Sequence, residues 1–210
     1  MKVILFDFDG TIADSFEVIL SIANRLAAEY GYPRVEREDI HQLQRLTSRE
    51  VVQRSGISIW RLLFLLRRLR RELNKEIVNL QPFPYIRESL MQLKQKGYKL
   101  GIVTSNSTEN VEAFLRQNQM QDLFELVVSG LTLFGKGKII GRVIQQNRLN
   151  PADIIYVGDE TRDIEAARRV GVSAISVSWG FSSDEVLARQ SPDFLVHHPK
   201  ELIEAIESFV

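Results

Sequence analysis

The sequence predicts an α/β fold with a mostly parallel sheet, and three observations carry that expectation. Short apolar runs recur along the 210 residues, each delivering polar residues at its carboxyl end, as strands buried on both faces of a parallel sheet do. Between most of them lie stretches whose apolar residues repeat at spacings of three and four, the period of a helix. The long stretch after the first run carries helical spacing and no strand signal. Together these give a Rossmann-like core of about five strands sandwiched by helices, with a helical cap inserted after the first strand. The expected division is 1–15 and 82–210 for the core and 16–81 for the cap.

The first strand is the unbroken apolar run from Val3 to Phe6, which leads straight into Asp7 and Asp9, with Gly10 and Thr11 as the turn. Carboxylates in that place sit where open α/β sheets bind ligands. Two negative charges so close repel, and a cation is needed for both to stay ionised near neutral pH. A hard divalent ion held by oxygen suits them, and Mg²⁺ is the usual one when phosphate takes part.

The run Asp7-Phe8-Asp9-Gly10-Thr11 with Asp14-Ser15 resembles the first motif of the haloacid dehalogenase superfamily, in its phosphatase branch. That resemblance implies Asp7 as the nucleophile that becomes an aspartyl-phosphate and Asp9 as the general acid/base. It also implies that both bind Mg²⁺, Asp9 through its main-chain carbonyl.

Composition narrows the function classes. Twenty-seven basic residues balance 27 acidic ones, so no global field points to nucleic acid or a membrane surface. Without cysteine there are no disulfides, thiolate metal sites or thiol nucleophiles, which fits a reducing cytoplasm. Met1 and Lys2 leave no room for a cleavable signal peptide before the first strand. No apolar run approaches the roughly 18 residues that span a bilayer.

In the insertion, Phe16, Ile19, Ile22, Ala23, Leu26 and Tyr30 mark one helix, stopped by Gly31 and Pro33. Thr47 and Glu50 form a capping box for a short helix ending near Gly56. Ser58 caps another, from Ile59 to about Asn79. Its first half is apolar nearly all round, and Arg67, Arg68, Arg70 and Arg71 follow. Leucines packing inward with arginines in water is the plain reading. A homodimer contact through the leucines and a basic rim for anionic substrates are the sharper ones. Arg45 and Arg49 are further candidates for a substrate anion. A helical insert in this place resembles the small helical cap of the superfamily, which implies that it closes over the catalytic Asp and excludes water.

After Gln81-Pro82-Phe83-Pro84 and one helix, a strand from Tyr98 to Val103 delivers Thr104, Ser105 and Asn106, with a helix starting near Ser107. Hydroxyl, amide and helix terminus together make a phosphate cradle, which matches the superfamily's second motif. Thr104, Ser105 and Asn106 are the phosphate-binding candidates, with Gly10 and Thr11. Phe124 to Ser129 is the next strand, leading to Gly135-Lys136-Gly137-Lys138. The third motif is a lysine. Lys136 is favoured over Lys138 because its flanking glycines let the backbone approach a phosphate. Strand Ile154 to Val157 then ends in Gly158-Asp159-Glu160-Thr161-Arg162-Asp163, resembling the fourth motif, which implies Asp159 and Asp163 as the remaining metal ligands. Val172 to Val177 is a fifth strand, and Phe194 to Val196 a last short one before a closing helix. The Trp179-Gly180-Phe181 and Pro192-Asp193-Phe194 segments resemble the phosphoglycolate phosphatase branch. His41, His197 and His198 are expected on the surface.

The expected function is Mg²⁺-dependent hydrolysis of a phosphomonoester on a small phosphorylated metabolite. A phosphosugar mutase or a haloacid dehalogenase would use the same fold, and a phospho-ligand sensor needs no turnover. The second aspartate speaks against the dehalogenase and the full acidic set against the sensor.

Overall fold

The computed structural model describes residues 2–131 and 134–209; Met1, placed by the sequence just ahead of the first strand, lies outside them. β1 (Val3–Phe6) leads into α1 (Phe16–Tyr30), α2 (Ile40–Gln44), α3 (Ser48–Ser55) and α4 (Ile59–Glu76), all before the chain returns to the sheet. The core then continues through α5 (Ile86–Gln95), β2 (Lys99–Thr104), α6 (Thr108–Gln117), β3 (Leu126–Ser129) and α7 (Lys136–Gln146). It ends with β4 (Ile154–Gly158), α8 (Thr161–Val170), β5 (Ser173–Val177), α9 (Asp184–Arg189), β6 (Phe194–Val196) and α10 (Glu201–Glu207).

Six strands form one sheet in the order β3-β2-β1-β4-β5-β6, and every neighbouring pair is parallel. The sequence led to about five. The sixth was the short run at Phe194, only three residues long and exposed at Phe194, and it adds at the edge beside β5. β1 lies at the centre, with β2 on one side and β4 on the other, so the strand order reverses beside the acidic loop. Alternation along β1 fills two cores. Val3 and Leu5 meet Ile140 and Val143 of α7 and Ala167 of α8 on one face. Ile4 and Phe6 join a core with Leu90 of α5, Phe114 of α6 and Leu202 of α10 on the other.

Thr47 and Glu50 make the reciprocal capping box at α3, and Ser58 accepts the Arg61 N–H at the start of α4. Among the described side chains of α4 a stripe is buried, at Leu62, Leu65 and Leu73, while Trp60 and Phe64 are 75% and 58% exposed. Where the insertion leaves and rejoins the core, the two chain segments lie side by side. Asp14 N–H donates to the Gln81 carbonyl and Phe83 N–H to that of Ile12, both at 3.0 Å. Among the described residues no helix is long and apolar enough to cross a membrane.

Candidate active site

The carboxyl ends of β1 and β4 and the amino ends of α7 and α8 converge on one buried cluster. Asp7, Asp159 and Asp163 each offer a carboxylate oxygen, all within 4.8 Å of one another. Lys136 Nζ lies 2.7 Å from Asp7 Oδ2 and 2.5 Å from Asp163 Oδ1. Asp159 is further held by the Thr11 hydroxyl and the Phe181 N–H, each donating at 2.8 Å. Gly10, in the left-handed region at φ +76°, makes this approach possible, because a Cβ there would come within 2.2 Å of Asp159 Oδ2.

Lys136 is the first residue of α7 and is buried, whereas Lys138 is exposed. The position of Lys136 also has a packing reason. A Cβ on Gly137 would meet the Ala166 carbonyl oxygen at 3.2 Å, so this glycine serves the packing of α7 on α8. Close helix packing there helps to set the lysine's position. The phosphate candidates Gly10 and Thr11 are likewise engaged inside the protein, the Gly10 N–H with the Ala13 carbonyl and the Thr11 hydroxyl with Asp159.

Electrostatics follow from burial of like charges. Burial pushes the Asp7 carboxyl above its ordinary range; Lys136 opposes this and the charge of Asp163 adds to it. Asp159 is pushed well up, first by burial and then by Glu160, Asp7 and Asp163. Burial would discharge Lys136, but Asp163 and Asp7 outweigh it and raise the ammonium's pKa. Lys136, even with Arg162 nearby, thus does not offset three buried carboxylates. The donor set, hard oxygens gathered around one point, fits a divalent ion such as Mg²⁺.

Asp9 is turned away from this trio. Asn106 Nδ2 donates to its Oδ2 at 3.0 Å, and burial raises its carboxyl to about 6 against that hydrogen bond. Behind Asn106 runs a chain of amides. Asn110 Nδ2 donates to Asn106 Oδ1 at 2.8 Å, and Asn74 Nδ2 of α4 donates to Asn110 Oδ1 at 2.6 Å. Asn110 Nδ2 also reaches the Arg70 carbonyl at 3.1 Å. The chain ties the inserted helix to the loop that holds Asp9. Thr104 Oγ1 accepts the Asn106 N–H at 2.9 Å, which sets the turn carrying Ser105.

Above Asp9 lies a chamber of about 140 Å³ lined by Ser105, Asn106, Arg70, Glu160, Arg162 and Phe181, among others. Arg162 and Phe181 also border an apolar cavity of about 330 Å³ beside α1, α2 and α3. Arg45 and Arg49, taken from the sequence as candidates for a substrate anion, are committed elsewhere. They pair with Glu185 and Glu165, at 3.2 and 2.8 Å, bracing the insertion on the core. The chamber arginines are instead Arg70 and Arg162, and Arg162 pairs with Glu160 at its Nε, 2.8 Å away. Only the Gly-Asp run pointed toward Arg162; nothing in the pattern separated Arg70 from its neighbours. The histidines stay outside the chamber: His41 is exposed, His197 bonds Ser178, and His198 lies against Tyr85.

Residues 4–177 match the family described as haloacid dehalogenase-like hydrolase. Among curated proteins, the phosphoglycolate phosphatase of Synechococcus elongatus is 40% identical over 206 residues, covering 98% of this chain and 97% of the relative. That of Aquifex aeolicus is 27% identical, covering 100% and 99%. Among solved structures, a haloacid dehalogenase-like hydrolase of Streptococcus pneumoniae superimposes with a TM-score of 0.79 at 24% identity, covering 98% of both chains.

Proposed function

Because the chain belongs to the haloacid dehalogenase-like hydrolase family, as one of its phosphatases, we propose that it hydrolyses 2-phosphoglycolate through an aspartyl-phosphate on Asp7, with Mg²⁺ as cofactor. The carrying observation is the separation of two kinds of carboxylate. Asp7 sits in the cluster with Lys136, and Asp9 stands apart beside Asn106 in a chamber large enough for a small organic group.

In this reading an Asp7 carboxylate oxygen attacks phosphorus in line with the ester oxygen. Asp9, whose pKa is raised by burial to about 6, gives its proton to the leaving alkoxide. The Asp9 carboxylate then takes a proton from water, whose oxygen attacks phosphorus and frees Asp7 and inorganic phosphate. Mg²⁺, held by Asp7, Asp159, Asp163 and the Asp9 main-chain carbonyl, would supply positive charge to the phosphoryl oxygens. Lys136 contributes a further fixed charge there, and Thr104, Ser105 and Asn106 orient the same oxygens. Residues 16–81 act as a cap that covers this site on the core formed by 1–15 and 82–210. The exposed Trp60 and Phe64 of α4 make its outer face a reasonable subunit contact, for which sedimentation of Trp60→Ser against wild type is the test.

The experiment is a screen of small phosphomonoesters with and without Mg²⁺. Phosphate release that needs Mg²⁺ and favours 2-phosphoglycolate is the expected result. Full activity in excess chelator, with no metal bound, would refute the cofactor assignment. A hundredfold preference for bulky neutral phosphosugars would refute the substrate.

A further inference from the structure

Arg70 is half-buried, whereas its neighbours Arg67, Arg68 and Arg71 on α4 are exposed. Arg68 pairs with Glu72, Arg49 with Glu165 and Arg162 with Glu160. Among the described residues Arg70 makes no salt bridge, and its Nε and Nη2 are buried without a hydrogen-bond partner. Its backbone is fixed, since Asn110 holds its carbonyl and Asn74, one turn on, anchors α4 to the same amide. Leaving buried guanidinium donors unpaired costs free energy, and the cost persists unless something else supplies the acceptor.

We infer that Arg70 is the specificity residue for the organic part of the substrate, receiving a carboxylate carried on the leaving group. The inference rests on the phosphatase reading above. Two observations place the anion there and not on the phosphoryl group. Arg70 lines the same chamber as Asp9 and Ser105, and Asp9 is the acid on the leaving-oxygen side. The chamber, about 140 Å³, suits a linker of one or two carbons. The planar fork of a guanidinium matches the two oxygens of a carboxylate, and the free Nε and Nη2 are two of its donors.

The test compares kcat/KM for 2-phosphoglycolate and for 2-hydroxyethyl phosphate, its neutral counterpart, at saturating Mg²⁺. Wild type should favour the carboxylate by about 10–100-fold, the scale of a hydrogen bond to a charged group. Arg70→Gln should erase most of that ratio, mainly through KM, and Arg70→Lys should keep part of it. Arg70→Gln should also melt no lower than wild type without substrate, because the cation it removes is unpaired. If Arg70→Gln folds poorly, the ratio in Arg70→Lys still decides. Equal loss on both substrates, or a wild type indifferent to the carboxylate, would overturn the inference and leave the phosphatase standing. A wild type that releases phosphate from no monoester would overturn both.

Discussion

At the carboxyl end of the sheet the charged groups are closed on one another. Asp7 and Asp163 share Lys136, and Asp159 is gripped by Thr11 and Phe181. Across the chamber, the inserted α4 presents a guanidinium with two nitrogens unsatisfied and, on its far side, two exposed aromatic rings. The sheet end is preorganised for one chemistry, with its side chains already in place before a substrate arrives. The insertion holds groups that only a ligand completes. Chemistry and selection are thus divided between a strand-end cluster and a helix face, joined by the Asn74–Asn110–Asn106 amides.

The largest effect should come from Asp7→Asn, which removes the nucleophile while keeping its shape. Turnover should fall by at least about 10⁴-fold with the fold intact by circular dichroism. Near-normal activity, with deamidation excluded, would move the nucleophile elsewhere. Lys136→Ala comes next, at about 10²–10³ in kcat. It should also destabilise the metal-free protein by about 3–5 kcal/mol, because Asp7 and Asp163 lose their buried partner. Chemical denaturation with and without Mg²⁺ measures this, and the metal should recover part of the loss.

Breaking the joint between the two regions should matter less. Asn110→Ala removes one of the two donors to the Asn106 side-chain carbonyl, leaving the Ser107 N–H, and loosens the bond that restrains Asp9. We expect about tenfold in kcat and a pH profile whose Asp9 limb moves upward, since the Asn106 hydrogen bond is what lowers that pKa. An unchanged profile would show that the amides only brace the helix. Lys138→Ala, on the exposed side of α7, should stay within about threefold.

The sheet end also predicts how stability responds to pH. Burial raises Asp9 from 3.8 to about 6, and Asp7 and Asp159 move in the same direction. Their folded forms bind protons that the unfolded chain has released, so this contribution is full below 3.8 and is lost as pH rises through about 6 for Asp9 and about 7 for Asp7. Metal-free protein should therefore melt higher at about pH 5 than at about pH 7.5, and Mg²⁺ should raise the melting temperature more at the higher pH. Thermal melts at the two values, with and without Mg²⁺, check both signs.

Much of this division was legible in the chain. Aspartates that follow apolar runs are placed by the strands themselves, so Asp7 and Asp159 could be brought together from pattern alone. Local caps at Thr47, Ser58 and Ser107 were readable for the same reason, since each bonds within a few residues. What was not legible depended on distant partners. Arg49 meets Glu165 across 116 positions, and no local feature marks it as spoken for. Gly137 is small because α8 lies against it, which only the packed structure reveals. Arg70 and Arg71 are adjacent in sequence, and which one enters the chamber is decided by how α4 docks.

The account's central claim is that Asp7 carries the phosphoryl group. Rapid quenching of the Mg²⁺-loaded enzyme during turnover of 2-phosphoglycolate, followed by borohydride reduction and peptide mass spectrometry, tests it directly. An aspartyl-phosphate is reduced to homoserine, and the account predicts homoserine at position 7 alone, dependent on substrate and absent from Asp7→Asn. Homoserine at another aspartate, or none while phosphate is being released, would contradict it.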